Sequence, residues 1–354
     1  MTTSEQYGKI FEIDYNKYSM EKKLNIEEVA AYAGVSTATV SRVINNYPFV
    51  KEETRRKVLQ VIRETNYQVN AVARNLRRRR THSIGVIISN VLSSFYSIIA
   101  KAVEDIAIQN KFSTVLCNGG DNPQKELDYL KVLHENRVDG VILSPTGKNR
   151  DYLDFLIISG IPVTVVDRTV EGLQCDTVMI DNREASCEAV RFILQRGYRH
   201  IGCIAGPQDR LTGLERLRGY YDAHEAEGVT VDERLVKVGD FMIESGRKQA
   251  LELLEQEGID ALYVSNADMA TGAYTFIREK GLRIPQDIAF AMFDDPEWAS
   301  LVTPGVTAVR QPVYSLGSTA ADLILHRILD GKSYAEKEPV KIMLKAKLIR
   351  RSSV

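Results

Sequence analysis

The chain has 354 residues, 44% of them hydrophobic and 26% charged, with a net charge of −1. That is longer than one hydrophobic core usually organises, and its composition is ordinary for a soluble globular protein. No apolar run approaches the roughly 20 residues that span a bilayer, and Met1 to Met20 lack the apolar core of an export signal, so a helical membrane protein is excluded and a cytoplasmic location is expected.

The charge is unevenly spread. Val35 to Arg80 hold eleven Lys and Arg against three Glu, a local +8 that leaves −9 for the remainder. A basic head on an acidic body suggests a polyanion-binding module attached to something else. Within it, Asn25 followed three residues on by Glu28 has the spacing of a capping box for a helix over Ile26–Ala33. Gly34 supplies the positive φ of a tight turn, and with the small Ala30 is expected to let the first two helices cross closely. Ser36 can cap the next helix, whose inner face is Val40, Val43 and Ile44. A third helix, about Glu52 to Thr65, is expected to bury Val58, Leu59, Val61 and Ile62, with Lys51 at its start where a Ser or Thr cap is usual. Three short helices with this turn form a helix-turn-helix.

The run Ile26-Glu-Glu-Val-Ala-Ala-Tyr-Ala-Gly-Val-Ser-Thr-Ala-Thr-Val-Ser-Arg-Val-Ile-Asn45 closely resembles the head of the lac repressor/galactose repressor family, and the resemblance continues to the C-terminus. It implies that Thr37, Ala38 and Arg42 read base edges in the major groove, and that Ser36, Thr39, Ser41 and Asn45 contact the DNA backbone. It further implies a hinge in which Ala73 allows two short helices to pack and Leu76 wedges into the minor groove. Val69 stands where the family has proline. Arg77 to Arg80 exceed family habit and are expected to steepen the salt dependence of DNA binding. Residues 1–23 lie outside the resemblance and are expected as an extension without fixed structure, Met20 being a natural family start.

After Ser83, apolar runs alternate with amphipathic segments. Ser83–Ser89, Thr114–Cys117, Gly140–Ser144 and Pro162–Asp167 read as buried parallel strands, and Ile201–Ala205, Leu235–Val238, Ala261–Ser265 and Ile288–Phe293 as a second series. The alternation predicts two doubly wound α/β lobes, with crossovers near Val178–Asn182, Ala308–Pro312 and Ile342–Leu344. The expected organisation is therefore a small all-α helix-turn-helix domain (24–68), a hinge helix and basic linker (69–81), and an α/β sensor like a periplasmic binding protein (82–354). The sensor's first lobe is expected over about 82–179 and 313–342, and its second over about 180–311 and 343–354.

Ligands of such sheets bind at the carboxyl ends of the strands. Phe95, Tyr96, Asp167, Arg168, Arg210, Thr212, Arg216, Phe241, Asn266 and Asp294 fall there and match the family's effector positions. Aromatic walls with Arg, Asp and Asn suit sugar hydroxyls, and the three arginines allow a sugar acid or phosphorylated sugar. Ala267 stands where relatives commonly have Asp. The four cysteines are scattered and expected as free thiols. Neither a nucleotide-binding glycine motif, a GxSxG elbow nor a metal-spaced His or Cys cluster is present, so an enzyme is not expected. The expected partners are double-stranded operator DNA, a small-molecule effector and a second copy of the chain, with no cofactor, metal or membrane. The chain stops directly after a final strand at Ala346–Ile349, so a homodimer is expected. Induction by a sugar or sugar acid is the first reading; the alternative is a corepressor, a purine or a phosphocarrier protein.

Overall fold

A computed structural model describes residues 24–44, 47–65, 67, 81–255, 258–330 and 336–354. The chain forms two units that divide between residues 79 and 80. In the first, α1 (Ile26–Ala33) begins with the reciprocal bonds of the capping box: Asn25 Oδ1 accepts from Glu28 N at 2.9 Å and Glu28 Oε2 from Asn25 N at 2.7 Å. Helices α2 (Thr37–Ile44) and α3 (Glu52–Glu64) follow. Val29, Ala30, Ala33, Val40, Val43 and Val58 form the small core. Two expectations change. Leu59 is exposed, because Val58, Val61 and Ile62 already fill the inward face of α3. A Cβ on Gly34 would meet only the end of Lys57, at 3.7 Å, so the turn needs this glycine for its φ of 64° and not for close approach. Lys51 makes no side-chain capping bond to α3.

In the second unit, β1 (Ser83–Ile88), α4 (Ser94–Gln109), β2 (Ser113–Asn118), α5 (Pro123–Glu135), β3 (Gly140–Leu143), α6 (Arg150–Ile158), β4 (Val163–Val166) and β5 (Asp176–Ile180) build one lobe. The chain then enters the other through α7 (Asn182–Gln195), β6 (Ile201–Ala205), α8 (Leu211–Ala226), β7 (Val236–Val238), α9 (Ile243–Leu254), β8 (Ala261–Val264), α10 (Ala267–Glu279), β9 (Ala289–Phe293), the short α11 (Trp298–Leu301) and β10 (Thr307–Arg310). It returns through α12 (Val313–Asp330) and β11 (Lys341–Leu344), and ends with β12 (Lys347–Ile349).

The first sheet runs β11-β5-β4-β3-β1-β2 with all its pairs parallel. The second runs β12-β10-β9-β8-β6-β7 and is parallel except for β10 with β12. Helices cover both faces of each sheet, a doubly wound arrangement that explains the near-continuous apolar strands. The segments expected only as crossovers are themselves strands: β5 and β10 lie inside their sheets, and β11 forms an edge. A further difference is β2, expected to be buried. It is an edge strand, with Val115 and Leu116 exposed.

The return segments are fastened differently in the two lobes. In the first, Arg327 of α12 donates to both oxygens of the buried Asp176 carboxylate, at 2.9 and 2.8 Å, and Val340 N donates to the same group at 2.8 Å. In the second, the buried Ser353 hydroxyl donates to Phe290 O at 2.6 Å and accepts from Thr307 N at 2.8 Å, and Arg351 donates to both oxygens of the Asp295 carboxylate at 2.8 and 3.0 Å.

Candidate functional site

In each sheet the strand order reverses around one strand: β1 lies between β2 and β3, and β6 between β7 and β8. Loops leaving neighbouring strands in opposite directions open a crevice at their carboxyl ends. A cavity of about 400 Å³ lies there between the two lobes of the sensor. Phe95, Tyr96, Asp167, Arg168, Thr212, Arg216, Phe241, Asn266 and Asp294 all line it.

Arg210 is different. It is absent from that wall, and its guanidinium reaches from the second lobe to main-chain carbonyls of the first, Thr146 O at 3.2 Å and Asp121 O at 3.0 Å. Arg210 occupies the extended N-cap position of α8, which aims the side chain across the cleft. The receiving loop is itself braced by the buried Glu126 carboxylate, which accepts from Thr146 N at 2.7 Å, Thr146 Oγ1 at 2.8 Å and Asn149 Nδ2 at 2.8 Å.

The wall of the first lobe is an ionic network. Arg168 is buried and donates from Nη1 to Asp121 Oδ1 at 2.6 Å, and from Nη2 to Asp121 Oδ2 at 3.3 Å and Tyr96 Oη at 2.9 Å. Tyr96 in turn donates to Asp167 Oδ2 at 3.1 Å. Burial raises the Asp167 carboxyl above the usual range despite the nearby guanidiniums of Arg168 and Arg216. At Asp121 burial pulls the same way, but the charge and hydrogen bonds of Arg168 prevail and its carboxyl is held low. Two linkers explain why sequence reading passed over this group. Asp121 follows Gly119-Gly120 after β2 in a stretch that carries no aromatic signal, and Ser89, whose hydroxyl donates to Asp121 Oδ1 at 2.7 Å, directly follows β1.

The second lobe meets it with mostly neutral partners. Arg216 donates to Asn182 Oδ1 and Ser265 O, both at 2.8 Å, lies 4.0 Å from Asp294 Oδ2, and stacks 3.7 Å from the ring centre of Phe293. Asn266 caps α10 by accepting from Met269 N at 3.0 Å. Gln311, unread in the sequence, donates to Asp294 Oδ1 at 2.6 Å and also lines the cavity. The carboxylate missing at Ala267 reappears one residue later, because Asp268 lines the cavity. Burial, and then Asp294, raise its carboxyl.

Asp121, Asp167, Phe241 and Asp294 share another feature: their φ angles are 52°, 73°, 69° and 71°. A non-glycine residue in the left-handed region costs of order 1 kcal/mol, and such residues gather where geometry serves binding. Phe241 also shows why Gly206 is glycine, since a Cβ there would lie 2.2 Å from its ring.

In the head, Thr37, Ala38 and Arg42 of α2 are exposed, whereas Val40 and Val43 are buried. Ser36 Oγ accepts from Thr39 N at 3.2 Å and lies 3.0 Å from Thr39 Oγ1. Ser41 is half-buried on the same helix. Asn45, Ala73 and Leu76, with Val69 and Arg77 to Arg80, lie outside the described residues.

A helix-turn-helix head and a two-lobed, cleft-bearing sensor in one chain define a ligand-responsive DNA-binding regulator. The family model described as bacterial regulatory proteins, lacI family, matches residues 25–70, and that of periplasmic binding proteins and the sugar binding domain of the LacI family matches residues 81–351. The chain belongs to the lacI family of bacterial regulatory proteins, which places it among transcription repressors and not among enzymes. It is 36% identical over 332 residues to the HTH-type transcriptional repressor PurR of Escherichia coli O139:H28 (strain E24377A / ETEC), covering 93% of this chain and 96% of that one. The PurR of Vibrio atlanticus (strain LGP32) is 34% identical over 309 residues, 86% of this chain and 92% of that one. Among solved structures, the lac repressor dimer bound to operator and the anti-inducer ONPF has a TM-score of 0.81 at 26% identity, covering 94% and 99% of the two chains. The transcriptional regulator CelR in complex with cellobiose has a TM-score of 0.71 at 32% identity, covering 94% and 100%. No helix among the described residues is long and apolar enough to cross a membrane.

Proposed function

We propose that this chain is a repressor released from a palindromic operator by a neutral, hydroxyl-rich effector of monosaccharide size. The observation that carries the effector class is the pairing of the cleft arginines. Five carboxylates line the cavity against two guanidiniums. Arg168 is bridged by Asp121 and Arg216 is bonded to an amide and a carbonyl. An anion entering here would meet carboxylates and find few free donors, whereas hydroxyls can donate to Asp, Asn and Gln oxygens. Phe95, Tyr96 and Phe241 give the apolar faces on which the C–H side of a sugar ring packs. The sugar acid or sugar phosphate allowed by three arginines is thereby disfavoured.

On this reading Thr37, Ala38 and Arg42 read each half-site, with Arg42 suited to guanine and the Ala38 methyl to thymine, and the chain acts as a dimer. The exposed Val115 and Leu116 of β2 and Ile243 at the start of α9 supply apolar surface on both lobes for a second copy. To switch operator occupancy strongly, the effector must favour one state by about 5 kcal/mol.

A thermal-shift screen of the full chain with neutral monosaccharides, sugar acids, sugar phosphates and purine bases tests the effector class. A neutral monosaccharide is expected to raise the melting temperature and weaken operator binding in a mobility-shift assay. Stabilisation by sugar acids or purines alone overturns the proposal, and tighter operator binding on saturation makes the effector a corepressor.

A further inference from the structure

An arginine beside a ligand cavity is ordinarily an anion receptor, because its planar fork matches a carboxylate or phosphate. Arg168 stands at such a cavity with its fork already taken. Both Nη atoms point at the Asp121 carboxylate, the shorter contact being 2.6 Å, and Nη2 also serves Tyr96. Asp121 is held in that position from three directions. Its backbone is left-handed with φ 52°, Ser89 donates to its Oδ1, and Arg210 donates to its carbonyl from the opposite lobe. Its side chain nevertheless remains about a third exposed, at 32%, against 5% for Arg168, and it lines the cavity. A ligand therefore meets the carboxylate before it meets the arginine.

We infer that Asp121 sets the charge class of the effector: by occupying the Arg168 fork it keeps anionic sugars out and leaves the cleft to neutral ones. The inference rests on the reading of the cleft as a sugar site. It differs from a simple excess of negative charge, because what matters is the release of one particular guanidinium. Asp240 offers the contrast. It also lines the cavity, but its Oδ1 accepts from a backbone amide, Met242 N, at 2.9 Å, so neutralising it changes the charge equally and frees no arginine.

The test uses full-length wild type, D121N, D121S and D240N, each checked for its melting transition. Calorimetry compares probe pairs that differ only at C6: D-glucose with D-glucuronate, and D-galactose with D-galacturonate. In parallel, the melting temperature in inorganic phosphate is compared with that in chloride at equal ionic strength. Wild type is expected to bind a neutral member in preference to its acid, and to gain nothing from phosphate. D121N or D121S is expected to move the acid-to-neutral affinity ratio by about tenfold or more, near 1.4 kcal/mol, and to be stabilised by phosphate. D240N is expected to move that ratio by less than about threefold. If wild type prefers the acids, or binds neither member of either pair, the sugar reading itself fails. If wild type prefers neutral sugars but both Asp121 variants keep its ratio and its indifference to phosphate, the role of Asp121 is overturned and the sugar reading stands. An equal shift in D240N also overturns it, since net charge would then suffice.

Discussion

The two lobes of the sensor share a topology and a cleft but are held together by different chemistry. The first is fastened with charge: Arg327 to Asp176 behind the sheet, and Arg168 to Asp121 in the cleft wall. The second relies more on neutral groups: the Ser353 hydroxyl behind the sheet, beside one bidentate pair of Arg351 with Asp295, and the amide, carbonyl and aromatic partners of Arg216 in the cleft. A buried ion pair contributes little net stability when intact, yet losing one partner strands a charge in a poor solvent. A buried hydroxyl that is lost strands only dipoles. The Asp176 and Ser353 fastenings should therefore fail differently.

The largest expected effect breaks the charged fastening. Asp176→Ala leaves the guanidinium of Arg327 without its bidentate carboxylate and removes the acceptor of Val340 N. A loss of about 3–5 kcal/mol is expected in denaturant unfolding. Ser353→Ala is the counterpart in the second lobe. It unpairs Thr307 N and Phe290 O, and about 1–3 kcal/mol is expected. If the two substitutions cost the same, the distinction between charged and neutral fastening does not hold.

A substitution at the cleft separates binding from folding. Gly206→Ala would place a methyl 2.2 Å from the Phe241 ring, and the ring must swing away from its place on the second lobe's wall. Overpacking of this kind costs about 1–3 kcal/mol. The sharper signature is on the effector, whose affinity should fall by about tenfold as one aromatic wall is displaced. Calorimetry showing unchanged affinity would mean that Phe241 is not a wall of the effector site.

These contrasts mark where the sequence was informative. The helix-turn-helix was legible because its signals are local: Asn25 with Glu28, the φ of Gly34, and the inward Val40 and Val43 all act within a few residues. The β/α alternation was legible through hydrophobic runs bounded by polar loops. Nine of the ten expected effector residues line the cavity, because strand ends announce themselves as the last apolar residue before a polar one. Asp121 and Gln311 escaped because their meaning depends on partners 47 and 17 residues away, Arg168 and Asp294. Arg210 was assigned to the effector from its position in the loop, but a long side chain at an extended N-cap can reach a different lobe. Leu59 and β2 were misjudged for a common reason: apolar character gives no warning of an edge.

The smallest expected effect uses pH to divide the lobes once more. His224 is buried on α8, its Nδ1 2.9 Å from Tyr220 O. Burial pulls its pKa below the ordinary 6.5, so over the interval between the two values the unfolded chain binds the proton and the folded chain resists it. Stability linked to this group is present above pH 6.5 and declines as pH falls below that value. Asp121 has the same sign in a lower window: its carboxyl is held below the ordinary 3.8 by Arg168, so its contribution is lost only as pH falls below that value. Unfolding free energies from about pH 7.5 to about pH 5.5 should therefore fall faster in wild type than in His224→Gln. The raised carboxyls of Asp167 and Asp268 are common to both proteins and drop out of the difference. Parallel curves would remove His224 as the source of the acid sensitivity.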